Sequence, residues 1–312
     1  HFFEQYKTLE KKTVLVVAHD AGGAELIAAY IQKNSRRYEP HAYVDGLAAR
    51  IFRREGLSFK RAPRTRSGMA RIMEENKNVA YALIGTGWMT TIETAACMEA
   101  KRAGVKACMY LDSWMNYRGR FGYPKRGWQT GLPDEFWVGD PFALALARRS
   151  FPGVPVRLVP NQYFAKIVAR YRSQARESQF RDTLLFFSTP DAEAGKIFSE
   201  LLKRLSLLKN RPNVLIRFHP ADNRRRYNAL RKRYRRNVRI EISREKDIVQ
   251  DLLRARCAIG PETMALAVAA LVGLKAVCVA PLGKKPLLPF PNMYRTTNMK
   301  TAMRILGVSR TK

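Results

Sequence analysis

Acidic side chains are scarce in this sequence, which has 26 Asp and Glu against 57 Lys and Arg and a net charge of +31. A surface with that balance attracts polyanions such as nucleic acid, anionic lipid headgroups or acidic glycans. The excess of positive charge therefore predicts a polyanionic partner. It does not by itself say which one.

Cysteine and long apolar runs are also rare. The four cysteines include no two closely spaced pairs, which excludes the usual zinc-site spacing and leaves reduced, buried thiols of a cytoplasmic protein as the expectation. No apolar run is long enough to cross a bilayer, and the chain does not open on a secretory segment. We therefore expect a cytoplasmic protein, with peripheral attachment to the inner face of the cytoplasmic membrane as a further hypothesis.

Several motifs are missing. The sequence has no Asp-x-Asp pair, no dinucleotide fingerprint, and no signature of the common nucleic-acid-binding folds. These absences favour chemistry without a bound metal or cofactor. They also make specific nucleic-acid binding the weaker explanation of the charge, because a net of +31 ensures some unspecific binding in any case.

Short apolar strands alternate with helical segments along most of the chain. The run Val14 to Ala18 is a strand buried on both faces, followed by a glycine turn and a helix, and similar units recur. This pattern predicts an α/β fold with two Rossmann-like parallel-sheet lobes and a cleft between them. We place the lobes at residues 1–163 and 182–312, joined by a polar linker helix at 164–181.

The stretch "NVLIRFHP" ends a predicted buried strand on His219 and Pro220, with Arg217 just before them. Open α/β sheets bind ligands at the carboxyl ends of their strands, and proline holds the preceding residue extended. A histidine mounted in this way can donate a hydrogen bond or a proton to a phosphate. A capping histidine in a surface loop is the structural alternative.

Two further strand ends carry hydroxyl groups. "CAIGPET" leads from a strand into a helix of small apolar residues, so Thr263 stands where a buried helix amino end can bind phosphate, or it only caps that helix. Glu262 is a candidate for accepting hydrogen bonds from a ribose or base. "FFSTP" ends the first strand of the second lobe, and we expect Ser188 and Thr189 to face a phosphate.

The spacing of "RFHP" and the later Gly-Pro-x-Thr turn resembles the carboxyl-terminal half of GT-B glycosyltransferases. It is most similar to the bacterial sialyltransferase-like and Kdo-transferase-like branches that have a His-Pro motif. The resemblance implies that His219 and Thr263 contact the phosphate of a CMP-activated sugar, and it suggests an inverting reaction. It also implies a catalytic carboxylate in the first lobe, although the acidic-acidic-glycine motif that carries it in those families is absent here.

Asp20 in "AHDAGGAE" and Asp112 in "YLDSW" are the candidates for that general base, with Asp20 preferred and Glu25 also considered. Capping of the next helix is an equal alternative for Asp20. The adjoining turns and aromatic segments supply the predicted acceptor-binding residues, by close backbone approach, polar contact, stacking or charge: Gly22, Gly23, Thr86, Trp88, Trp114 and Arg118.

A basic segment at 224–239 contains nine Lys and Arg, with Tyr227, Leu230 and Tyr234 as an apolar stripe that should pack on the sheet. Such a segment predicts contact with an anionic membrane surface, and a solvated charged face is the alternative. The leading function is a metal-independent glycosyltransferase of cell-envelope polysaccharide synthesis that uses a nucleotide sugar and a glycan or lipid-linked acceptor. The alternatives are a GT-B nucleotide-sugar 2-epimerase or hydrolase, and a basic nucleic-acid-binding protein.

Overall fold

A computed structural model describes residues 10–87, 90–175, 182–280, 290 and 292–308. The chain divides into two compact units, residues 1–163 (unit 1) and 164–312 (unit 2). Each unit contains one parallel β-sheet with helices in its connections. The α/β class with two Rossmann-like parallel sheets is therefore confirmed.

Unit 1 has a seven-stranded sheet in the order β3-β2-β1-β4-β5-β6-β7. Its strands are β1 (Lys12–Ala18), β2 (Tyr38–Val44), β3 (Lys60–Arg61), β4 (Ala82–Ile84), β5 (Ala107–Leu111), β6 (Glu135–Val138) and β7 (Val156–Leu158). The helices are α1 (Ala21–Lys33), α2 (Gly46–Arg54), α3 (Arg66–Glu75), α4 (Ile92–Arg102) and α5 (Pro141–Ser150), and α6 (Gln162–Gln174) crosses into unit 2.

Unit 2 has a six-stranded sheet in the order β10-β9-β8-β11-β12-β13. Its strands are β8 (Thr183–Phe187), β9 (Asn213–Arg217), β10 (Ile240–Ile242), β11 (Ala255–Gly260), β12 (Lys275–Val279) and β13 (Met293–Thr296). The helices are α7 (Ala192–Leu205), α8 (Asn228–Tyr234), α9 (Ile248–Arg254), α10 (Met264–Leu271) and α11 (Met299–Ile305).

The strand order reverses direction at one place in each sheet. β1 is paired with both β2 and β4, and β8 is paired with both β9 and β11, all in parallel. Ligands of open α/β sheets bind beyond the carboxyl ends of the strands at such a reversal. The expected ligand-binding positions are therefore the loops after β1 and β4 in unit 1 and the loops after β8 and β11 in unit 2.

The central strands are apolar because helices cover both faces of each sheet. Leu184, Phe186 and Ile216 are fully buried and pack with residues of α7 and α11 in the core of unit 2. The predicted stripe of the basic segment is confirmed, since Tyr227 is fully buried and Leu230 and Tyr234 pack against the same core. Most of its arginines are exposed, while Arg226 and Arg231 are half-buried.

Helix α6 differs from the polar linker that was predicted at 164–181. Phe164, Ile167 and Tyr171 form a buried stripe at helical spacing, and Arg170 forms an ion pair with Asp247 just before α9. The helix therefore has one buried apolar face and an ion pair to the residue that precedes α9. Residues 176–181 lie outside the described part of the chain.

The four cysteines are buried and free. Burial raises the pKa of three of their thiols to about 12: Cys97, Cys108 and Cys278. They are therefore protonated, unreactive components of the two cores. Within the described ranges, no helix is both long enough and apolar enough to traverse a bilayer.

Candidate functional site

The ends of β8 and β9 are joined by side chains that the sequence singled out. Ser188 is 3% exposed, and its Oγ accepts a hydrogen bond from the backbone N–H of His219 at 2.9 Å. The Nδ1 of His219 in turn accepts the N–H of Ala221 at 3.1 Å. A neutral imidazole held this way carries its proton on Nε2, where it serves as a donor.

Asp222 and Tyr227 connect the loop after β9 to the basic segment. The Tyr227 hydroxyl donates to Asp222 Oδ2 at 3.0 Å, and Arg226 lies 3.4 Å from the other oxygen of the same carboxylate. Burial raises the pKa of the Tyr227 hydroxyl, which therefore stays a neutral donor. The loop after β9 is thus tied to the start of the basic segment, while Pro220 itself is exposed.

Thr189 follows Ser188 at the end of β8. It is 9% exposed, and its Oγ1 is buried without a hydrogen-bond partner among the described residues. A buried hydroxyl without a partner costs about 1–3 kcal/mol, so an unsatisfied group in a folded protein calls for an explanation. A ligand with acceptor oxygens at this loop would supply the missing bond.

The loop after β11 approaches the same strand from its other side. A Cβ on Gly260 would lie 2.5 Å from the carbonyl oxygen of Phe187, so only glycine allows the two strand ends to come this close. Thr263 caps α10, with its Oγ1 accepting the Ala265 N–H at 3.0 Å. Glu262 stands between them, half-buried. The capping alternative for Thr263 is therefore realised, and its hydroxyl proton can still be donated.

Arg217 takes a different place from the one predicted. Its Nη1 donates to Asp251 Oδ2 at 2.6 Å, and its guanidinium also donates to the carbonyls of Glu245 and Lys246. Asp251 is fully buried and accepts a second bond from Ser243. Because the planar fork is occupied by these acceptors, the geometry argues against the predicted phosphate contact and gives Arg217 a role in holding β9, β10 and α9 together.

In unit 1, Asp20 stands at the end of β1 and at the amino end of α1. It has the backbone conformation of a helix cap, but its carboxylate makes no capping hydrogen bond. Oδ1 lies 3.1 Å from His19 Nδ1, and a Cβ on Gly87 would lie 2.9 Å from Oδ2. The capping alternative thus fails for the side chain, which is turned toward the loop after β4.

Glu93 is the site residue that sequence reasoning missed. Its side chain is in the first turn of α4, it is 2% exposed, and its Oε1 accepts the backbone N–H of His19 at 2.8 Å. Burial, with the nearby charge of Asp20, raises the pKa of this carboxyl. A raised pKa on a carboxyl beside a second carboxylate is the usual arrangement of groups that hold and transfer protons.

Asp112, the second candidate base, is part of a buried ion pair. Arg120 contacts its Oδ1 and also donates to Thr86 Oγ1 at 2.7 Å, and the Arg120 side chain is only 2% exposed. The Thr86 hydroxyl donates to the Tyr110 carbonyl at 3.0 Å. Asp112 and Thr86 are therefore positioned within a hydrogen-bond network that joins the ends of β4 and β5.

The two glycines of the first turn make that network possible. A Cβ on Gly22 would lie 1.7 Å from Asp112 Oδ2, and one on Gly23 would lie 3.1 Å from Gly85 Cα. A side chain at position 22 would overlap the Asp112 carboxylate, and one at position 23 would crowd the backbone of Gly85, because α1 begins directly against the loops after β4 and β5. The two glycines thus allow a close approach of the protein's own atoms, and the predicted approach of an acceptor stays a prediction.

Two of the predicted acceptor residues, Trp114 and Arg118, bond to the protein's own acceptors. Trp114 is 3% exposed and donates its indole N–H to Asp140 at 2.7 Å, so it has no open face for stacking on a sugar. Arg118 donates to the Ser150 carbonyl at 2.7 Å, where it neutralises the carboxyl end of α5. Trp88 lies outside the described residues.

Comparisons by sequence yield nothing: no family model and no curated protein matches the chain. Solved structures do match. A UDP-GlcNAc 2-epimerase from Neisseria meningitidis bound to UDP-GlcNAc has a TM-score of 0.63 at 13% identity, covering 86% of this chain and 82% of that one. An S. aureus MnaA–UDP structure has a TM-score of 0.62 at 11% identity, covering 86% and 79%.

MurG from Acinetobacter baumannii is also similar, with a TM-score of 0.54 at 14% identity over 88% of this chain and 80% of that one. These likenesses establish a GT-B-like fold. None of the three structures is a sialyltransferase or a Kdo transferase, so they support the broad resemblance and not its finer branch.

Proposed function

We propose that this protein is a nucleotide-sugar enzyme that binds the nucleotide's phosphates at the carboxyl edge of the unit 2 sheet. The observation that carries the proposal is the buried Thr189 hydroxyl, which has no partner within the described part of the chain. It lies next to Ser188, which positions the backbone of His219. These groups follow adjacent strands at the reversal of the strand order, where α/β folds bind ligands.

The donors at this edge suit a phosphate leaving group. His219 offers an N–H on Nε2, Thr189 offers a hydroxyl, and α10 offers the positive end of its dipole beyond Thr263. When the bond between the sugar's anomeric carbon and the phosphate oxygen breaks, negative charge grows on the phosphates. Preorganised donors stabilise that charge more than they stabilise the bound substrate, which lowers the barrier.

The nucleotide is proposed to be uridine diphosphate. CMP was the expectation from the sialyltransferase-like resemblance, but the similar structures whose ligand is named contain UDP or UDP-GlcNAc. A diphosphate also offers more acceptor oxygens to the hydroxyl and imidazole donors of unit 2. We therefore rank UDP first and CMP as the alternative in the same experiment.

For the reaction we propose glycosyl transfer with Asp20 as the general base. The carboxylate would take the proton of an acceptor hydroxyl, whose oxygen forms a bond to the anomeric carbon as the bond to the phosphate breaks, inverting that carbon. The acceptor is proposed to be a glycan or a lipid-linked saccharide of the cell envelope. The MurG likeness in fold is compatible with this assignment.

Epimerisation or hydrolysis of the nucleotide sugar is the second candidate, favoured by the pair of Asp20 and Glu93. Glu93 is a buried carboxyl with a raised pKa whose causes include the charge of Asp20. Two carboxyl groups with different proton affinities can remove and return a proton on a sugar. Incubation with UDP-GlcNAc alone separates the candidates, since transfer requires an acceptor and epimerisation changes the sugar without one.

The test of the nucleotide site is a thermal-shift panel of CMP, CDP, UDP, GDP and TDP on the whole chain. A nucleotide at about 100 times its Kd stabilises the folded state by about 2.7 kcal/mol, and we expect the largest shift with UDP. Thr189→Val should abolish most of that shift without lowering the Tm of the free protein, whereas Thr189→Ser should preserve it. Equal shifts for the Val variant and the native chain would refute the assignment.

A further inference from the structure

Helix α8 and the edge strand β10 enclose a surface cavity that the nucleotide site does not use. Its volume is about 500 Å³, in the range of small-ligand pockets. It is lined by Asn228, Arg231, Lys232, Arg235, Val238, Arg239 and Ile240. We call it the α8 groove.

The groove lies away from the strand ends that carry His219. Val238 and Arg239 immediately precede β10, so they mark the amino edge of the parallel sheet, whereas His219 and Ser188 follow carboxyl ends. Helix α8 runs back from the carboxyl edge toward β10. A ligand in the α8 groove is therefore separate from one at the proposed nucleotide site.

Three of the four cations that line the groove lack acidic partners among the described residues. Arg231, Lys232 and Arg235 have no carboxylate within ion-pair distance among the described residues, while Arg239 pairs with Glu241 at 3.1 Å. The Nε of Arg231 is buried and has no hydrogen-bond partner in the described part of the chain. An unsatisfied guanidinium N–H beside two unpaired cations indicates a site for an anionic acceptor.

The other basic stretch of the chain, residues 50–66, differs in that four of its seven Lys and Arg are ion-paired. From the end of α2 to the start of α3, four arginines are paired with a carboxylate: Arg54, Arg61, Arg64 and Arg66. By contrast, three cations of the α8 groove have no carboxylate partner among the described residues: Arg231, Lys232 and Arg235.

We propose that the α8 groove binds a phosphate-bearing anion, a phosphomonoester or a diphosphate. The guanidinium fork of Arg231 matches the geometry of two phosphate oxygens, and Lys232 and Arg235 supply further charge. Val238 and Ile240 provide an apolar surface for the organic part of the ligand. The source is a phosphorylated lipid headgroup or a soluble phosphate, which share this chemistry.

Inorganic pyrophosphate is the first probe, measured by calorimetry on the whole chain at about 0.15 M salt, where long-range attraction is screened. The groove variant is Arg231→Gln/Lys232→Gln/Arg235→Gln. The matched control is Arg225→Gln/Arg233→Gln/Arg236→Gln, which removes the same charge from exposed positions outside the groove. We expect at least tenfold weaker binding in the groove variant and less than a twofold change in the control.

Two more variants sharpen the result. Arg231→Lys retains the charge but removes the Nε donor, so it should weaken pyrophosphate binding severalfold. His219→Asn should leave binding at the α8 groove intact, which separates this proposal from the nucleotide site. Equal losses in the groove and control variants, or no saturable pyrophosphate binding at all, would overturn the proposal.

Vesicles containing phosphatidic acid, compared with neutral vesicles, distinguish the two sources. If they retain the native chain and the control variant but release the groove variant, the ligand is a lipid headgroup. If vesicle binding is the same for all three proteins while pyrophosphate binding still depends on the groove, the ligand is a soluble phosphate. Either result supports the groove as the phosphate site.

Discussion

The Oγ of Ser188 accepts the backbone N–H of His219 at 2.9 Å, which joins the ends of two adjacent strands. The imidazole is then oriented by the Ala221 N–H, which donates to Nδ1 at 3.1 Å. The second hydrogen bond has a backbone donor, so Nδ1 must be the acceptor nitrogen and the neutral ring carries its proton on Nε2. The ring is therefore prepared to donate from Nε2 before any ligand binds.

Two substitutions of His219 distinguish the Nε2 donor from the Nδ1 acceptor that bonds the Ala221 N–H. His219→Asn keeps an acceptor near Nδ1 for the Ala221 N–H but has no donor at the position of Nε2, whereas His219→Gln places an amide N–H near that position. Because a hydrogen bond to a charged group contributes about 1.5–3 kcal/mol, we expect the Asn variant to bind UDP about 10- to 100-fold more weakly, and the Gln variant to bind it better than the Asn variant. Calorimetry measures both, and Tm verifies the fold.

Unchanged UDP affinity in the Asn variant would exclude a phosphate contact by His219. A Tm loss as large as the affinity loss would instead give the residue a structural role. Ser188→Ala is a useful companion, since it removes the acceptor of the His219 N–H and should weaken binding by misplacing the ring.

Arg217 should behave as a stabilising residue and not as a ligand-binding one. Arg217→Met leaves the carboxylate of Asp251 buried without its cation, and breaking a buried pair in this way costs about 3–5 kcal/mol. Arg217→Met/Asp251→Leu removes the uncompensated charge and should recover part of that loss. Urea unfolding of the native, single and double variants measures the three free energies.

Nucleotide affinity is the control for Arg217. It should stay within about twofold in the double variant, as long as the protein remains folded under the assay conditions. A large loss of UDP binding with normal stability would restore the phosphate role that the sequence first suggested.

The two aspartates of unit 1 should differ in what they affect. Asp112→Asn weakens the buried pair with Arg120, so it should lower Tm by several degrees. Asp20→Asn leaves a polar side chain at a site 18% exposed, so it should preserve Tm and reduce turnover at least 100-fold, the usual contribution of a general base. Turnover is measured as release of free nucleotide from a nucleotide sugar. The nucleotide of that substrate is the one that gives the largest shift in the thermal-shift panel.

If Asp112→Asn instead keeps its Tm and loses turnover, Asp112 is the general base and not Asp20. Glu25, also considered from the sequence, contacts Arg54 through its Oε2 at 2.6 Å. Glu25→Gln is therefore a suitable control carboxylate from the same helix, with turnover expected to stay close to that of the native chain.

Strands and the sites at their ends could be predicted because the evidence for them is local. The apolar run before Asp20 and the run before His219 both became central strands, since a strand covered on both faces must be apolar throughout. Alternation of strands and helices then fixed the sheet type, which is why the fold class is confirmed.

The partners of site residues could not be predicted because they lie far apart in the sequence. Glu93 reaches the backbone of His19 across 74 residues, and Arg217 reaches Asp251 across 34. Nothing in the spacing of "TTIE" distinguishes a buried proton-holding carboxyl from an acidic residue that favours a helix amino end. Strand order decides such contacts, and only the assembled sheet reveals it.

Helix α9 and strand β13 were missed for a related reason. Residues 248–254 hold a short amphipathic helix of seven residues between two strands, too short to show its period. Strand β13 has exposed and half-buried positions only, as an edge strand does, so it lacks the apolar run by which the central strands were recognised.

Glu93 provides a pH-dependent test of the unit 1 site. Its pKa in the folded protein is raised above the ordinary value of 4.5, chiefly because burial disfavours the charged form. A carboxyl with a raised folded pKa contributes stability below its unfolded pKa and loses it as pH rises through the folded pKa. Glu93→Gln stays neutral and can still accept the His19 N–H.

The Tm of Glu93→Gln minus the Tm of the native chain should therefore increase from pH 4 to pH 8. The increase should occur above pH 4.5, the ordinary pKa of the carboxyl. Differential scanning calorimetry across that range measures it. Glu99→Gln is the matched control, since Glu99 is buried in the same helix but paired with Arg66. A pH-independent difference for Glu93→Gln would mean that folding does not shift the pKa of the Glu93 carboxyl, and would remove it from the proton-transfer role in the epimerase candidate.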